Sequence, residues 1–262
     1  WIFLIIRKII NRKTVLWGHA WPRSGAHSKS DLLRNIMRLL ANKIIVYTNQ
    51  QQLELKNKMP KKEILAAPNA VVSASMMAFS KLSDQFNLIY VGRLTKRKKP
   101  YFLVKAFASE VDKYPSNTKL IIVGEGEEKD KIKKYIAENK LSNSIVLLGH
   151  ISNHEKLKEL YFNSFFSISP GYVGLSITQS FGFGVPMLVS KDENHSPEIE
   201  ALKVEENGLF FKTDSESDFN TILLESFKKR DSWIQKRVQI LSSCKQNYST
   251  EAMAKVFVDL VR

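Results

Sequence analysis

Short apolar runs rich in isoleucine and valine recur along the chain from residue 87 onward. They cover residues 87–94, 119–126, 144–150, 165–171, 186–190 and 208–211. Their apolar residues are consecutive, which is typical of strands that helices cover on both faces. The segments between them, such as 127–140 and 154–163, have apolar residues at helical spacing. This alternation predicts an α/β domain with a doubly wound parallel sheet, followed by a helical tail over about residues 216–262.

The first 80 residues carry the same kinds of element in a smaller number. Residues 14–21 indicate a strand and a loop, and residues 28–43 indicate an amphipathic helix. Two further strands are predicted at 44–49 and 62–71, the second of which ends in a Pro-Asn turn. This is again α/β, but it is too small for a complete domain.

The opening residues combine isoleucines at helical spacing with Arg7 and Lys8. The pattern predicts an amphipathic helix that is either buried or at a membrane interface. The run is too short to cross a bilayer, which needs ~20 apolar residues. The chain does not begin with methionine, so we expect a piece of a longer protein.

The charge of the chain is strongly basic. Lysine and arginine number 40 against 26 acidic residues, and the sequence pI is about 9.7. Nucleic acid, an anionic membrane surface, a phosphorylated ligand or simple solubility would each explain this balance. The single cysteine, Cys244, excludes an internal disulfide and fits a reducing compartment. The histidines have no metal-ligand spacing, so we expect no metal site.

Ligands of open parallel sheets bind beyond the carboxyl ends of the strands, and the first such exit is strongly basic. After the run at 87–94, Gly92 allows close approach, Arg93 follows at once, and Lys98 lies five residues on. A guanidinium and a lysine at this position suit phosphate or pyrophosphate oxygens. For Lys96 and Lys99 we favour a solvated charge run.

The fourth exit, "SPGYVGLSITQSFGFG", has no charged side chain. A helix is predicted to begin near Ser176, and its first amides would carry partial positive charge. Gly174 would let an anion approach those amides. The competing interpretation is that the glycines only permit tight helix–sheet packing, which we favour for Gly182 and Gly184.

The remaining exits have weaker signals. Gly124 and Gly126 form a G-x-G pair that is best explained as a tight turn. His150 at the third exit is either a contact to a ligand or a polar turn residue. A helix is predicted to begin at Pro197, and Glu198 and Glu200 lie two positions apart in it. They therefore point to different faces of that helix, and either one could face the cleft.

In this order, the exits resemble those of the retaining glycosyltransferases of the bacterial group 1 family, also called family 4, which have the GT-B fold. The matching pieces are "YVGRLTKRKKP", "LIIVGEGEEKDKIKKYI", "VLLGHIS", "SPGYVGLSITQSFGFGVPMLVS" and "SPEIEALKVEENGLFF". The resemblance implies a partial N-terminal, acceptor-side domain at 1–78 and a Rossmann-like nucleotide-sugar-binding domain at 79–248. Residues 249–262 would form a closing helix that packs toward the N-terminal domain.

The same resemblance implies an activity and a set of site residues. The family transfers a sugar from a nucleotide diphospho-sugar with its anomeric configuration kept, and it needs no metal or other cofactor. Arg93 and Lys98 would hold the diphosphate and stabilise the departing group. The amides around Gly174, Leu175 and Ser176 match the family's phosphate contacts.

The remaining positions carried over concern the nucleoside and the reacting sugar. His150 and Ile151 match the region that contacts the base. His19 matches a histidine close to the reacting sugar, although packing between Trp17 and Trp21 would explain it equally well.

One departure from the family concerns two glutamates that stand eight positions apart across the fourth exit. Here Gly171 and Gln179 occupy those positions. Gln179 keeps an amide that can hydrogen-bond ribose, whereas Gly171 has no side chain. Glu198 and Glu200 are therefore the candidates for sugar recognition. The turn also resembles a PGxVGL branch of surface-polysaccharide transferases.

The resulting prediction is a retaining glycosyltransferase of bacterial surface-polysaccharide synthesis. Its partners would be a nucleotide-sugar donor, a lipid-linked or glycan acceptor and an anionic membrane surface, with no nucleic acid. We expect it in the cytoplasm, peripheral on the inner face of the cell membrane. The alternative is a non-catalytic GT-B module that binds a nucleotide or a partner protein.

Overall fold

The computed structural model describes residues 2–22, 25, 28–80 and 86–261. The chain divides into two compact units: Trp1–Ala70 together with Asn247–Arg262, and Val71–Gln246. The domain borders expected from the sequence lie eight and two residues further along (78 against 70, and 248 against 246).

The smaller unit contains a parallel sheet of three strands in the order β1-β2-β3. These strands are β1 (Val15–Trp17), β2 (Lys43–Val46) and β3 (Glu63–Ala66). The helices of this unit are α1 (Ile2–Ile9), α2 (Ser30–Leu40), α3 (Asn49–Lys58) and, at the end of the chain, α10 (Thr250–Val261). The core of this unit includes Ile44 and Val46 of β2, Leu55 of α3, Ile64 of β3 and Ala20.

Helix α2 buries polar residues and exposes apolar ones. Four of its large apolar side chains are exposed: Leu32, Leu33, Ile36 and Leu39. Asp31 and Arg38 are buried instead and form an ion pair at 2.8 Å, and Lys58 contacts the other oxygen of Asp31 at 2.6 Å. Burial raises the pKa of Asp31, but hydrogen bonds from the two cations outweigh it and leave that pKa below its ordinary value. Helix α1 likewise exposes its isoleucines and buries Leu4.

The larger unit is built on a parallel sheet of six strands. They are β4 (Asn87–Val91), β5 (Leu120–Val123), β6 (Ile145–Gly149), β7 (Ser164–Ser169), β8 (Met187–Ser190) and β9 (Gly208–Phe211). Their order is β6-β5-β4-β7-β8-β9, which is the order of Rossmann-type sheets. The predicted doubly wound α/β architecture is confirmed.

The helices of the larger unit follow the predicted alternation. They are α4 (Pro100–Ala108), α5 (Lys129–Glu138), α6 (His154–Phe162), α7 (Ser176–Gly182), α8 (Glu216–Lys228) and α9 (Arg230–Tyr248), the last of which extends into the smaller unit. The helix expected from Pro197 is instead a short 3-10 segment, Pro197–Ala201, because the backbone becomes extended at Leu202.

Both faces of this sheet are covered, which accounts for the consecutive apolar residues of its strands. On one face Leu88 and Ile122 belong to a cluster with Phe107 of α4 and Phe219 of α8. On the other face Ile89 and Val123 lie in a separate cluster with Leu157 and Tyr161 of α6. Each central strand therefore needs an apolar side chain at every position.

The single cysteine is part of the packing between α9 and α7. Cys244 is buried, and its Sγ donates a hydrogen bond to the carbonyl oxygen of Thr178 at 3.3 Å. Burial raises the pKa of this thiol to about 12.

Candidate active site

Strands β5 and β6 follow β4 on one side of it, and β7, β8 and β9 follow on the other side. The gap between β4 and β7 is therefore the switch point of the sheet, where ligands of such sheets bind. The loops that leave these two strands meet at this point. The Tyr172 amide donates to the Arg97 carbonyl oxygen at 3.1 Å, and the Arg97 guanidinium lies 3.9 Å from the centre of the Tyr172 ring. The basic loop and the glycine-rich loop therefore form one surface.

The basic loop after β4 is held in place by the exit of β5. The amide of Leu94 donates to the Glu125 carbonyl oxygen at 2.8 Å, and the Glu128 amide donates to the Leu94 carbonyl oxygen at 2.9 Å. A Cβ on Gly124 would lie 1.9 Å from the Gly92 carbonyl oxygen, and one on Gly126 would lie 2.4 Å from that of Leu94. The G-x-G pair thus makes room for the basic loop, in agreement with the tight-turn interpretation.

Lys98 is a half-buried cation among other cations. Burial, together with the charges of Arg93 and Arg97, lowers its pKa to about 8, although the charge of Glu198 opposes this shift. Its Nζ lies 4.7 Å from the centre of the Tyr172 ring. Arg93 is exposed, and its carbonyl oxygen accepts a hydrogen bond from the Tyr90 hydroxyl at 2.8 Å. An anion at this cluster would stabilise the protonated form of Lys98.

Lys99, the next residue, has a different environment. It opens α4 in the left-handed conformation, with φ at 52°, and its Nζ lies 2.7 Å from carboxylate oxygens of both Glu193 and Asp214. These carboxylates raise its pKa although burial alone would lower it. Lys99 therefore joins three loops through ion pairs and is not the solvated residue we expected, whereas Lys96 is exposed.

The glycine-rich loop after β7 presents backbone amides. The Val173 carbonyl oxygen accepts hydrogen bonds from the Ser196 amide and hydroxyl at 3.1 and 3.0 Å. Within the described ranges, the amides of Gly174 and Leu175 donate to no other residue. Ser176 begins α7, whose first amides have no partner within the helix.

The two glycines of this loop have different surroundings. A Cβ on Gly171 would lie 2.5 Å from the Arg97 carbonyl oxygen, so the basic loop fills the space where the family's first glutamate was expected. A Cβ on Gly174 would meet its nearest atom, the Ser196 Oγ, at 3.6 Å, which is an ordinary contact. Packing therefore explains Gly171 and leaves the absence of a side chain at Gly174 without a steric cause.

Packing also explains Gly182 and Gly184. A Cβ on Gly182 would lie 3.2 Å from the Met77 side chain. Gly184 has φ at +68°, and a Cβ there would lie 2.7 Å from the Arg237 carbonyl oxygen. Both glycines thus permit close packing, but the atoms they face belong to Met77 and α9, so the predicted contact with the sheet is wrong.

The remaining predicted residues occupy several places around this sheet edge. Gln179 is partly exposed on α7, and Glu198 is buried, with its charge acting on Lys98. His150, exposed, and Ile151, partly buried, follow β6, two strands from β4. Glu200, also partly exposed, lies in the same short segment as Glu198.

His19 belongs to the smaller unit. It is exposed, and its ring lies 4.7 Å from that of Tyr47. The Tyr47 ring is an aromatic neighbour that the packed-histidine interpretation, which places His19 between Trp17 and Trp21, does not include.

Sequence reasoning overlooked three residues of the site: Arg97, Tyr172 and His195. The His195 ring is partly buried beside the loop that leaves β7. Burial lowers its pKa, and the charge of Lys98 contributes to the lowering. The available signal was a lone histidine in the acidic stretch "KDENHSPE", but the prediction used only the carboxylates of that stretch.

The described residues, 2–22, 25, 28–80 and 86–261, contain no group of three or more histidine, cysteine or acidic side chains that could hold a metal ion. They also contain no helix with the length and apolarity needed to cross a membrane.

The fold and the sequence are similar to those of known proteins. The crystal structure of HepE from Anabaena in complex with UDP has a TM-score of 0.74 with this chain, at 16% identity, over 99% of this chain and 75% of HepE. This likeness confirms the GT-B fold. The chain is 30% identical over 197 residues to the uncharacterized glycosyltransferase MJ1059 of Methanocaldococcus jannaschii, covering 68% of this chain and 48% of that protein.

A second relative is the alpha-monoglucosyldiacylglycerol synthase of Acholeplasma laidlawii, 27% identical over 188 residues, or 68% of this chain and 45% of the synthase. The chain thus spans about half the length of the curated relatives it matches. The family model for glycosyl transferases group 1 matches residues 74–239, which is more than half of the 262 residues. This chain therefore belongs to the group 1 glycosyltransferases.

Proposed function

We propose that the protein transfers a sugar from a nucleotide diphospho-sugar to a lipid-linked or glycan acceptor in surface-polysaccharide synthesis, with the anomeric configuration kept. The observation that carries this proposal is the meeting of two loops at the switch point of the sheet. One supplies the cations Arg93 and Lys98, and the other supplies the amides of Gly174 and Leu175. Together they match the charge and the hydrogen-bonding needs of a diphosphate.

The chemistry of the donor side follows from this arrangement. When the bond between sugar and diphosphate breaks, negative charge develops on the diphosphate oxygens. Arg93 and protonated Lys98 would stabilise that charge, and the loop amides would add donors that need no rearrangement. Lys98, with its pKa at about 8, is mostly protonated at neutral pH, and the bound diphosphate would increase that fraction.

The remaining site residues have roles in this proposal that follow from their places. His150 and Ile151, beyond β6, would contact the base, and Gln179 would hydrogen-bond the ribose. Glu198 would face the sugar, since its charge already acts on Lys98. His19 would act on the acceptor side.

A membrane surface is the partner that best fits the smaller unit. Residues 1–43 contain nine lysines and arginines and one acidic residue, Asp31. Asp31 is buried between Arg38 and Lys58, so it offers no exposed negative charge. Exposed apolar side chains on α1 and α2, with Ile2 at 75% and Leu32 at 72%, complete the combination that binds anionic lipid interfaces.

Sedimentation with lipid vesicles tests this partner. We expect binding to vesicles that contain phosphatidylglycerol and little binding to phosphatidylcholine alone. Leu32→Ser with Leu39→Ser should weaken binding, whereas Leu53→Ser, which changes an exposed leucine on α3, should not. Equal binding by all variants would contradict the assignment.

A non-catalytic module is the second candidate, and the packing at Gly171 favours it. The basic loop occupies the space where the family has a glutamate, so no carboxylate can reach the donor sugar from that position. Turnover by the full-length protein with a panel of nucleotide sugars separates the two candidates, and the configuration of the product tests retention.

Nucleotide binding tests the donor site directly. At least one of UDP, GDP and their glucose conjugates should raise the melting temperature. At a ligand concentration of a hundred times the dissociation constant, the free energy of unfolding should rise by ~2.7 kcal/mol. Arg93→Ala and Lys98→Ala should each weaken binding about tenfold or more, as expected for lost charged hydrogen bonds. Lys96→Ala removes an exposed charge of the same run and serves as the control. If no nucleotide stabilises the protein, the donor-site proposal fails.

A further inference from the structure

His195 connects the loop that leaves β8 to the glycine-rich loop that leaves β7. Its Nδ1 lies 3.1 Å from the amide nitrogen of Val173, which donates to it. Its Nε2 lies 2.9 Å from the carbonyl oxygen of Ser190, to which it can only donate. A neutral imidazole with its proton on Nε2 satisfies both contacts, whereas an imidazolium has no acceptor for the Val173 amide.

The charged groups around the ring come from two loops. Lys98, on the basic loop after β4, lowers the pKa of His195 in addition to burial. Glu193, on the ring's own loop, raises it, as do the backbone groups of Ser190 and Lys191. Arg97 contacts the same loop through the Asn194 carbonyl oxygen at 3.2 Å. The balance leaves the pKa below its ordinary value of 6.5, which favours the neutral ring.

Val173 stands directly before the two amides assigned to the diphosphate. Its carbonyl oxygen is fixed by Ser196, so its amide and carbonyl are both held by consecutive residues, His195 and Ser196. When the ring takes a second proton, the amide contact is lost and two N–H groups compete for the same space. Of the two residues that fix Val173, only Ser196 then still holds it, so the Gly174 and Leu175 amides are less firmly oriented.

We propose that His195 is a positioning residue whose neutral ring holds the glycine-rich loop in its diphosphate-binding form, so that protonation of this ring weakens donor binding. This inference rests on the proposed donor site. The proposal makes donor binding sensitive to acidic pH through a residue that need not touch the donor itself.

Lys98 has the opposite pH dependence, which makes the expected profile specific. Lys98 loses its charge as the pH rises through about 8, so donor binding should weaken on the alkaline side. Protonation of His195 should weaken it on the acid side, below 6.5. A simple electrostatic effect would act in the other direction, because an imidazolium near a diphosphate attracts it.

The test is calorimetric binding of UDP-glucose and GDP-glucose between pH 5 and 9. These probes contain no phosphate group that titrates in that range, and their bases titrate only at its alkaline end, so the acid side of the profile reports the protein. The wild-type affinity should pass through a maximum and fall about tenfold toward pH 5, as expected when one hydrogen bond of the loop is lost. His195→Gln keeps an acceptor and a donor but cannot be protonated. It should bind almost as well as wild type at pH 7.5 and lose the acid-side fall.

Two further variants complete the experiment. His195→Ala should bind weakly at all pH values, because it has neither hydrogen bond. His154→Gln changes a partly exposed histidine that contacts the Met76 carbonyl oxygen, and it should keep the wild-type profile. An acid-side fall that persists in His195→Gln, or wild-type binding that strengthens toward pH 5, would overturn the inference. Failure of every probe to bind at any pH would overturn the proposed donor site instead.

Discussion

The exits of β5 and β7 lie on either side of β4, and each carries two glycines close together in sequence. At the β5 exit, Gly124 and Gly126 both have positive φ, and both face backbone atoms of the basic loop. At the β7 exit, Gly171 faces that same loop, but Gly174 faces open space up to 3.6 Å. Three of the four glycines therefore serve to bring the basic loop close, and the fourth is the one available to a ligand.

The largest effect should follow from Gly124→Ala. Its Cβ would lie 1.9 Å from the Gly92 carbonyl oxygen, and φ at +153° is unfavourable for alanine. We expect the free energy of unfolding to fall by more than ~3 kcal/mol, measured by urea denaturation. A loss below about 1 kcal/mol would mean that the β5 exit and the basic loop can move apart at little cost. The packing role assigned to the glycines of the β5 exit would then be wrong.

Gly171→Ala should have the next largest effect. The Cβ would lie 2.5 Å from the Arg97 carbonyl oxygen, so the basic loop must shift by a fraction of an ångström or more. We expect a loss of about 2 kcal/mol in unfolding free energy, as is typical of overpacking. Nucleotide affinity should fall as well, because Lys98 moves with the loop. A Gly171→Glu variant that is as stable as wild type would contradict the packing explanation.

Gly174→Ala should separate stability from binding. Its Cβ finds ordinary contacts, so the unfolding free energy should change by no more than about 0.5 kcal/mol. The methyl group would lie where a phosphate approaches the amides, so affinity for the stabilising nucleotide should fall about tenfold. Calorimetry on the same sample as the denaturation experiment measures both. Unchanged nucleotide affinity would mean that the glycine at position 174 is not needed for a phosphate to approach the amides.

The smallest effect concerns the side chains of adjacent lysines in the basic loop. The pKa of Lys98 is lowered to about 8 by folding, so the unfolded chain binds more protons above that pH. Lys98 therefore makes stability rise as the pH increases from 8 toward 10.5. Lys99 has a raised pKa, so its stabilisation is present below 10.5 and is lost as the pH rises through its folded value.

Denaturation at pH 8 and pH 10 checks the sign for Lys98, and denaturation at pH 10 and about pH 11.5 checks the sign for Lys99. Relative to wild type, Lys98→Met should gain less stability with rising pH, and Lys99→Met should lose less. If both variants change the pH dependence in the same direction, the two environments have been assigned wrongly.

The strands of the larger unit could be predicted because strands covered on both faces leave a continuous apolar pattern. Arg93, Lys98 and Gly174 could be selected because they directly follow such strands. The reason for Gly171 could not be predicted, since it depends on the carbonyl oxygen of Arg97, 74 positions earlier in the chain (171 minus 97). His195 was overlooked for the same reason, because one of its partners is a backbone amide 22 positions away.

The helix α2 illustrates a different limit. Its pattern predicts an amphipathic helix, but the same pattern is compatible with either face being buried. The buried network of Asp31, Arg38 and Lys58 determines which face points inward, and these partners include a residue of another helix. Periodicity alone contains no information about such a network.

The inaccessibility of Cys244 has a practical consequence for studies of motion in this protein. A thiol with a pKa of about 12, buried against α7, will react slowly with maleimide dyes and spin labels. Since the sequence has one cysteine, a cysteine introduced on the exposed basic loop would be the sole reactive site without prior removal of the native one. Residues 1–262 are therefore a ready background for fluorescence and electron-spin measurements of that loop.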